Sequence, residues 1–161
     1  MSRSWRAAAR VAAGLAFLSA ATTAYWLFGG TALLGTLGGS LERLARGRSG
    51  GALALGATVV VIKSVTGVLA LLLLSPRRRG WRMIAGLGIL AAVALCLWGT
   101  ANVLVGALVL SGAIERADVD RHALRWHVFL WDSWFLVWGV ALVLALVGAI
   151  RDQRPSQNLH R

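Results

Sequence analysis

In a chain this apolar the side chains able to do chemistry are few. Five stand out by type and place: Tyr25, Lys63, Asn102, His127 and Asp132. Lys63 and Asp132 are ionisable groups set inside long apolar runs. At membrane depth such groups are rare, and they face a bundle interior or a water-filled cavity more often than lipid. A lysine and an aspartate there could pair with each other, bind a polar headgroup or an ion, or carry a proton. Asp132 lies in WHVFLWDSWF, residues 126–135, among three tryptophans and two phenylalanines, and no further charge occurs before Arg151. His127 and Asp132 could also serve as acid and base on a lipid or quinone. No nucleophile set, glycine-rich phosphate loop or paired-carboxylate spacing accompanies them, so the chain leans away from catalysis.

A second group, Asp118-x-Asp120-x-His122, offers oxygens and an imidazole for a metal. A helix cap explains it better. Asp118 or Asp120 would satisfy the first amides of a helix running into the last apolar segment. No metal is expected, and no cofactor motif appears. Cys96, the one cysteine, has no intramolecular partner and reads as a small packing residue.

Composition sets these residues in a membrane. The chain is 161 residues long, 58% hydrophobic and 14% charged. A soluble domain carries about a quarter of its residues charged. A net charge of +11 would suit nucleic acid. The basic residues instead fall in short groups between apolar runs, as in a protein that meets anionic headgroups at each turn. The expected partner is the lipid bilayer, with a membrane protein or a second copy as further partners, and not nucleic acid.

A spanning helix needs about 20 predominantly apolar residues. Four segments qualify: 11–30, 52–74, 83–110 and 128–150. The expected fold is all-α, a single four-helix membrane bundle with antiparallel up-down spans and residues 151–161 as a short polar tail. The first connection, Thr31 to Gly51, is uncharged up to Leu41 and should lie along the interface as a short amphipathic or re-entrant piece. Its GGTALLGTLGG stretch disfavours regular helix. A competing reading makes Arg3, Arg6, Arg10 and the apolar run to Ala24 a cleavable signal peptide. YWLF carries that run past the cleavage point and favours a span.

Basic residues orient the bundle. One side holds Arg3, Arg6, Arg10, Arg77, Arg78, Arg79, Arg82, Arg151, Arg154 and Arg161. The other holds Arg43, Arg46, Arg48, Arg116, Arg121 and Arg125. The majority side should be cytoplasmic, and so should both termini, in a plasma membrane. Alternating helix directions then bring Tyr25, Asn102 and Asp132 into the outer half of the membrane. Lys63 reaches toward the same half by snorkelling.

Pairing of Lys63 with Asp132 is left open. The lysine costs roughly 2.5–3.5 kcal/mol on the insertion scale, and the Val, Leu and Ile residues of its segment contribute roughly −5 kcal/mol. The helix inserts with or without a partner for Lys63. Gly88, Ala92, Cys96, Gly99, Asn102 and Gly106 form a small-residue stripe, a seam for close helix approach in which Asn102 should bond across helices. Trp131, Trp134 and Trp138 form another stripe, expected to face packing surface, lipid or the interface. Trp5, Trp26, Trp81 and Trp126 mark the two membrane surfaces.

At YWLFGG (Tyr25 to Gly30) and RWHVFLWDSWFLVWG (Arg125 to Gly139) the chain resembles the bacterial membrane family DUF3995. Tyr25, Trp26, Gly29, Gly30, Trp126, His127, Trp131, Asp132, Trp134 and Gly139 match its signature positions. Ser133 stands where proline is common, and Thr23 where the pattern suggests histidine. Without that histidine the resemblance implies no metal or haem bridging the first and last helices. It implies a four-helix membrane fold and a bacterial membrane, and no activity. Function is therefore expected to be that of a binding or accessory subunit with a polar pocket in the outer leaflet half. A transporter or proton relay using Asp132 and Lys63 is the alternative, and a lipid or quinone enzyme the third.

Overall fold

A computed structural model describes residues 2–75, 79–116 and 119–153, with side chains from Ser4 onward. Arg77, Arg78, Asp118, Arg154, Arg161 and the Arg3 side chain, invoked above for orientation and capping, lie outside the described residues. The elements in chain order are α1 (Ser2–Leu27), a 3-10 turn (Leu34–Thr36), α2 (Gly39–Gly47), α3 (Gly50–Leu72) and α4 (Trp81–Leu110). A short α5 (Arg121–Trp126), a π-helical turn (His127–Trp131) and α6 (Asp132–Asp152) then run on without a break. Among the described residues no strand occurs.

Four helices are long and apolar enough to cross a membrane: Ser4–Leu27, Gly50–Leu72, Trp81–Leu110 and Arg121–Asp152. The first starts earlier than residue 11 because the Arg- and Ala-rich opening consists of strong helix formers. The last starts before residue 128 because Asp120 caps it. The Asp120 carboxylate accepts the amides of His122 (2.9 Å) and Ala123 (3.1 Å).

The packing order differs from the chain order. α1 lies between α3 and α6, and α6 lies between α1 and α4, so the row runs α3, α1, α6, α4. α3 and α4 are consecutive in sequence, yet touch only lightly. Alanines let the central pair come close. Ala9, Ala12, Ala13, Ala16 and Ala20 of α1 and Ala141, Ala145 and Ala149 of α6 are all buried. The α4 stripe is the seam to α6: a Cβ on Gly99 would stand 2.6 Å from the Leu136 amide nitrogen. From the other side, a Cβ on Gly139 would stand 2.7 Å from Cys96 Sγ.

The tryptophan stripe turns inward. Trp138 is 2% exposed within the core, and Trp134 Nε1 donates to the Leu15 carbonyl of α1 at 3.1 Å. These rings therefore face protein, and the lipid-facing alternative for them is corrected. Trp5 and Trp81 are also buried in the bundle rather than spread over its surface. Their large apolar bodies fill the end of the core, with Trp5 packed against Gly148.

YWLFGG ends α1 through backbone geometry. The Gly30 amide donates to the Tyr25 carbonyl (2.9 Å) and the Gly29 amide to the Trp26 carbonyl (3.0 Å), the paired bonds of a Schellman cap. Gly29 has φ +95°, a left-handed conformation that glycine adopts without strain. The Tyr25 ring covers Gly30 where any Cβ would collide with it. Only the single 3-10 turn interrupts the irregular path through residues 29–38, as the glycine content predicts.

Candidate functional site

The connection from α1 to α3 roofs one end of the bundle. α2 is amphipathic. Leu41, Leu44 and Ala45 line the space beneath it, the two leucines still largely exposed, while Glu42 and Arg46 pair at 2.8 Å. Arg48 ties the roof to α1, donating to the carbonyls of Leu27 (3.0 Å) and Trp26 (3.4 Å) in its last turn.

Beneath this roof is a cavity of about 750 Å³. The C-terminal part of α1 (Ser19 to Leu27) and the N-terminal half of α3 (Ala52 to Lys63) form part of its wall. Trp98 and Asn102 of α4 and the stretch from His127 to Phe135 complete it. Most of the lining is leucine, valine and tryptophan. The size falls in the range of small-ligand sites, roughly 300–1,000 Å³.

Of the five residues singled out in the sequence, Lys63, Asn102, His127 and Asp132 line this one cavity. Tyr25 does not. It is 48% exposed, and its hydroxyl accepts the Ala32 amide at 3.4 Å, so it belongs to the cap of α1. The Asn102 amide donates to the Trp98 carbonyl of its own helix at 2.8 Å. That intrahelical bond stands in place of the cross-helix bond expected of it, and the side chain lines the cavity.

Lys63 and Asp132 do not pair. Lys63 Nζ donates to Thr23 Oγ1 (2.9 Å) and to the Ser19 carbonyl (3.4 Å), and lies 5.6 Å from the centre of the Phe135 ring. The Thr23 hydroxyl gives its own hydrogen to the Ser19 carbonyl at 3.1 Å and so receives from the lysine. An ammonium has three hydrogens. The third has no partner among the described residues.

Asp132 is 6% exposed and faces His127 instead, with Oδ2 3.3 Å from Nδ1. His127 Nε2 lies 3.0 Å from the Leu37 carbonyl of the roof. A carbonyl can only accept, so Nε2 bears a hydrogen. Nδ1 is then the ring nitrogen turned to the Asp132 carboxylate. Next to it, Trp131 Nε1 donates to Thr36 Oγ1 at 3.0 Å, and Trp131 meets Trp26 edge to face at 5.5 Å. The roof is therefore latched to the last helix by two side chains, His127 and Trp131.

The π turn makes this latch. In a regular helix, residues five apart point about 140° away from each other. Here the Asp132 amide donates to the His127 carbonyl, closing an i to i−5 ring and bringing the two side chains together. Ser133 reinforces the turn by donating from Oγ to the Val128 carbonyl at 2.5 Å. Such single-turn π bulges recur at functional sites. Among the described residues no three His, Cys, Asp or Glu side chains gather to hold a metal.

No protein-family model matches the chain, and no curated protein or solved structure matches it either.

Proposed function

We propose that this chain is a four-span plasma-membrane protein that acts as a non-catalytic binding or accessory subunit. Its spans alternate in direction, both termini lie in the cytoplasm, and the roofed cavity lies in the outer half of the bilayer. The excess of arginines beside the termini and the α3–α4 connection supports that orientation. One observation carries the functional reading: an apolar cavity of about 750 Å³ on which Lys63, Asn102, His127 and Asp132 converge. Extraction in mild detergent followed by mass spectrometry of co-purifying small molecules tests it. A lipid or quinone enriched over its share of the membrane is the expected result. Co-purifying lipid in bulk proportions would overturn the reading. Reporter fusions at each terminus test the orientation, both being expected to be active on the cytoplasmic side.

A second reading has its own observation. His127 and Asp132 face each other at 3.3 Å on the cavity wall, an imidazole and a carboxylate that suit a proton relay better than Lys63 does. It requires pH-dependent flux in proteoliposomes that disappears in Asp132→Asn. Flux insensitive to pH would remove it.

A further inference from the structure

Resting on the reading of this cavity as a ligand site, we infer that its occupant is an anionic amphiphile, an apolar chain bearing a carboxylate or phosphate head held by Lys63. The charge balance of the wall selects this class. Asp132 is the one carboxylate among the lining residues, and it faces His127 at 3.3 Å. Lys63 and Arg48 set two positive charges against that one carboxylate, so the lining is net positive, and both cations meet only neutral acceptors.

The two cations differ in position and commitment. Arg48 is exposed and already caps the end of α1. Lys63 stands thirteen residues past Gly50, about 20 Å along α3 at 1.5 Å per residue. It is half-buried, and its neighbours Thr23 and Ser19 offer only neutral acceptors. A cation surrounded by apolar side chains attracts an anion far more strongly than one in water, because little solvent screens the pair. A charged head there completes the ammonium's hydrogen bonding, and leucine and tryptophan walls enclose the chain. A neutral or cationic amphiphile would leave that charge unbalanced.

Native mass spectrometry of the full chain in a neutral detergent tests this with four ligands of equal chain length: dodecanoate, dodecyl phosphate, dodecanol and dodecylammonium. Retention of dodecanoate, dodecyl phosphate or both over the other two is expected, and the retained anion identifies the head. Dodecanol retained as well as the anions overturns the inference while leaving a ligand cavity in place. Retention of none of the four overturns both. Lys63→Gln keeps an amide donor for Thr23 and removes the charge. It should weaken anion retention at least about tenfold and leave dodecanol unchanged. A folded Lys63→Gln protein with undiminished anion preference reduces Lys63 to a bracket between α1 and α3 and overturns the inference. Should that variant fail to fold, the four-ligand comparison on the wild-type chain decides alone.

Discussion

His127 Nδ1 lies 3.3 Å from Asp132 Oδ2, although five residues of a regular helix would point the two side chains to different faces. Because His127 Nε2 simultaneously reaches the Leu37 carbonyl, Asp132 orients the imidazole that holds the roof down. Asp132 thus acts on the roof through His127, without touching it.

Loss of that latch should loosen the roof more than the bundle. A hydrogen bond to an ionised group is worth about 1.5–3 kcal/mol, and a neutral one about 1 kcal/mol. His127→Ala should speed amide exchange across residues 31–38 by tenfold or more. Asp132→Asn should do so less, since Nε2 can still reach Leu37. Exchange in α1 and α6 should not change. Hydrogen exchange read by mass spectrometry distinguishes these outcomes, and uniform acceleration through all helices would contradict them.

Removing one residue from the π turn should reproduce the loss of His127. Phe129 is 76% exposed, so its deletion sacrifices little packing. It restores a regular helix and swings His127 about 100° around the axis. The protein should stay folded while the roof exchanges as fast as in His127→Ala. Unaltered roof protection would mean that the π turn does not position the latch.

Reversing both charges should rescue nothing. Lys63 and Asp132 have separate partners, Thr23 and Ser19 for one and His127 for the other. Lys63→Asp and Asp132→Lys should each lower the folded yield. The double variant should sum their effects within about 0.5 kcal/mol, as independent sites do. A yield restored to wild type would reveal a direct ion pair.

Two glycines of α4 should respond oppositely to a methyl group. At Gly99 the new Cβ meets the backbone of Leu136, so Gly99→Ala should cost about 1–3 kcal/mol as the seam to α6 opens. Gly86 has nothing within 4 Å of that position, and Gly86→Ala should be neutral or stabilising by up to about 1 kcal/mol. Thermal unfolding of both variants in detergent measures the contrast.

Much of this architecture was legible from local patterns. The runs of apolar residues located four spanning helices, the Asp-x-Asp-x-His stretch pointed to the cap that Asp120 makes, and the steps from Gly88 to Gly106 marked a seam. Depth along each span brought Lys63, Asn102 and Asp132 to the same region, together with Tyr25, which stands outside the cavity. Other features depended on tertiary context. A π turn adds one residue to a helix and leaves the hydrophobic pattern on either side intact, so periodicity cannot reveal it. The direct contact of His127 with Asp132 therefore had no signal in the sequence. Hydropathy shows that a helix is apolar all round without showing which face meets protein, so Trp138 and Trp134 were misread as possible lipid contacts. Tyr25 suggested a site residue by its chemistry, but covers a glycine in a helix cap.

The row α3, α1, α6, α4 also bears on how the molecule is made. Domains emerge from synthesis N-terminal part first, so α1 appears at the outset, and one of its two main partners, α6, appears last. Until then the alanine ridge from Ala9 to Ala20 can meet α3 but not α6, and the roof has neither His127 nor Trp131 to close upon. A nascent chain halted after α4 would hold two helix surfaces awaiting the same missing partner. Completion of the final span is then the assembly step, and one segment both seals the core and shuts the cavity.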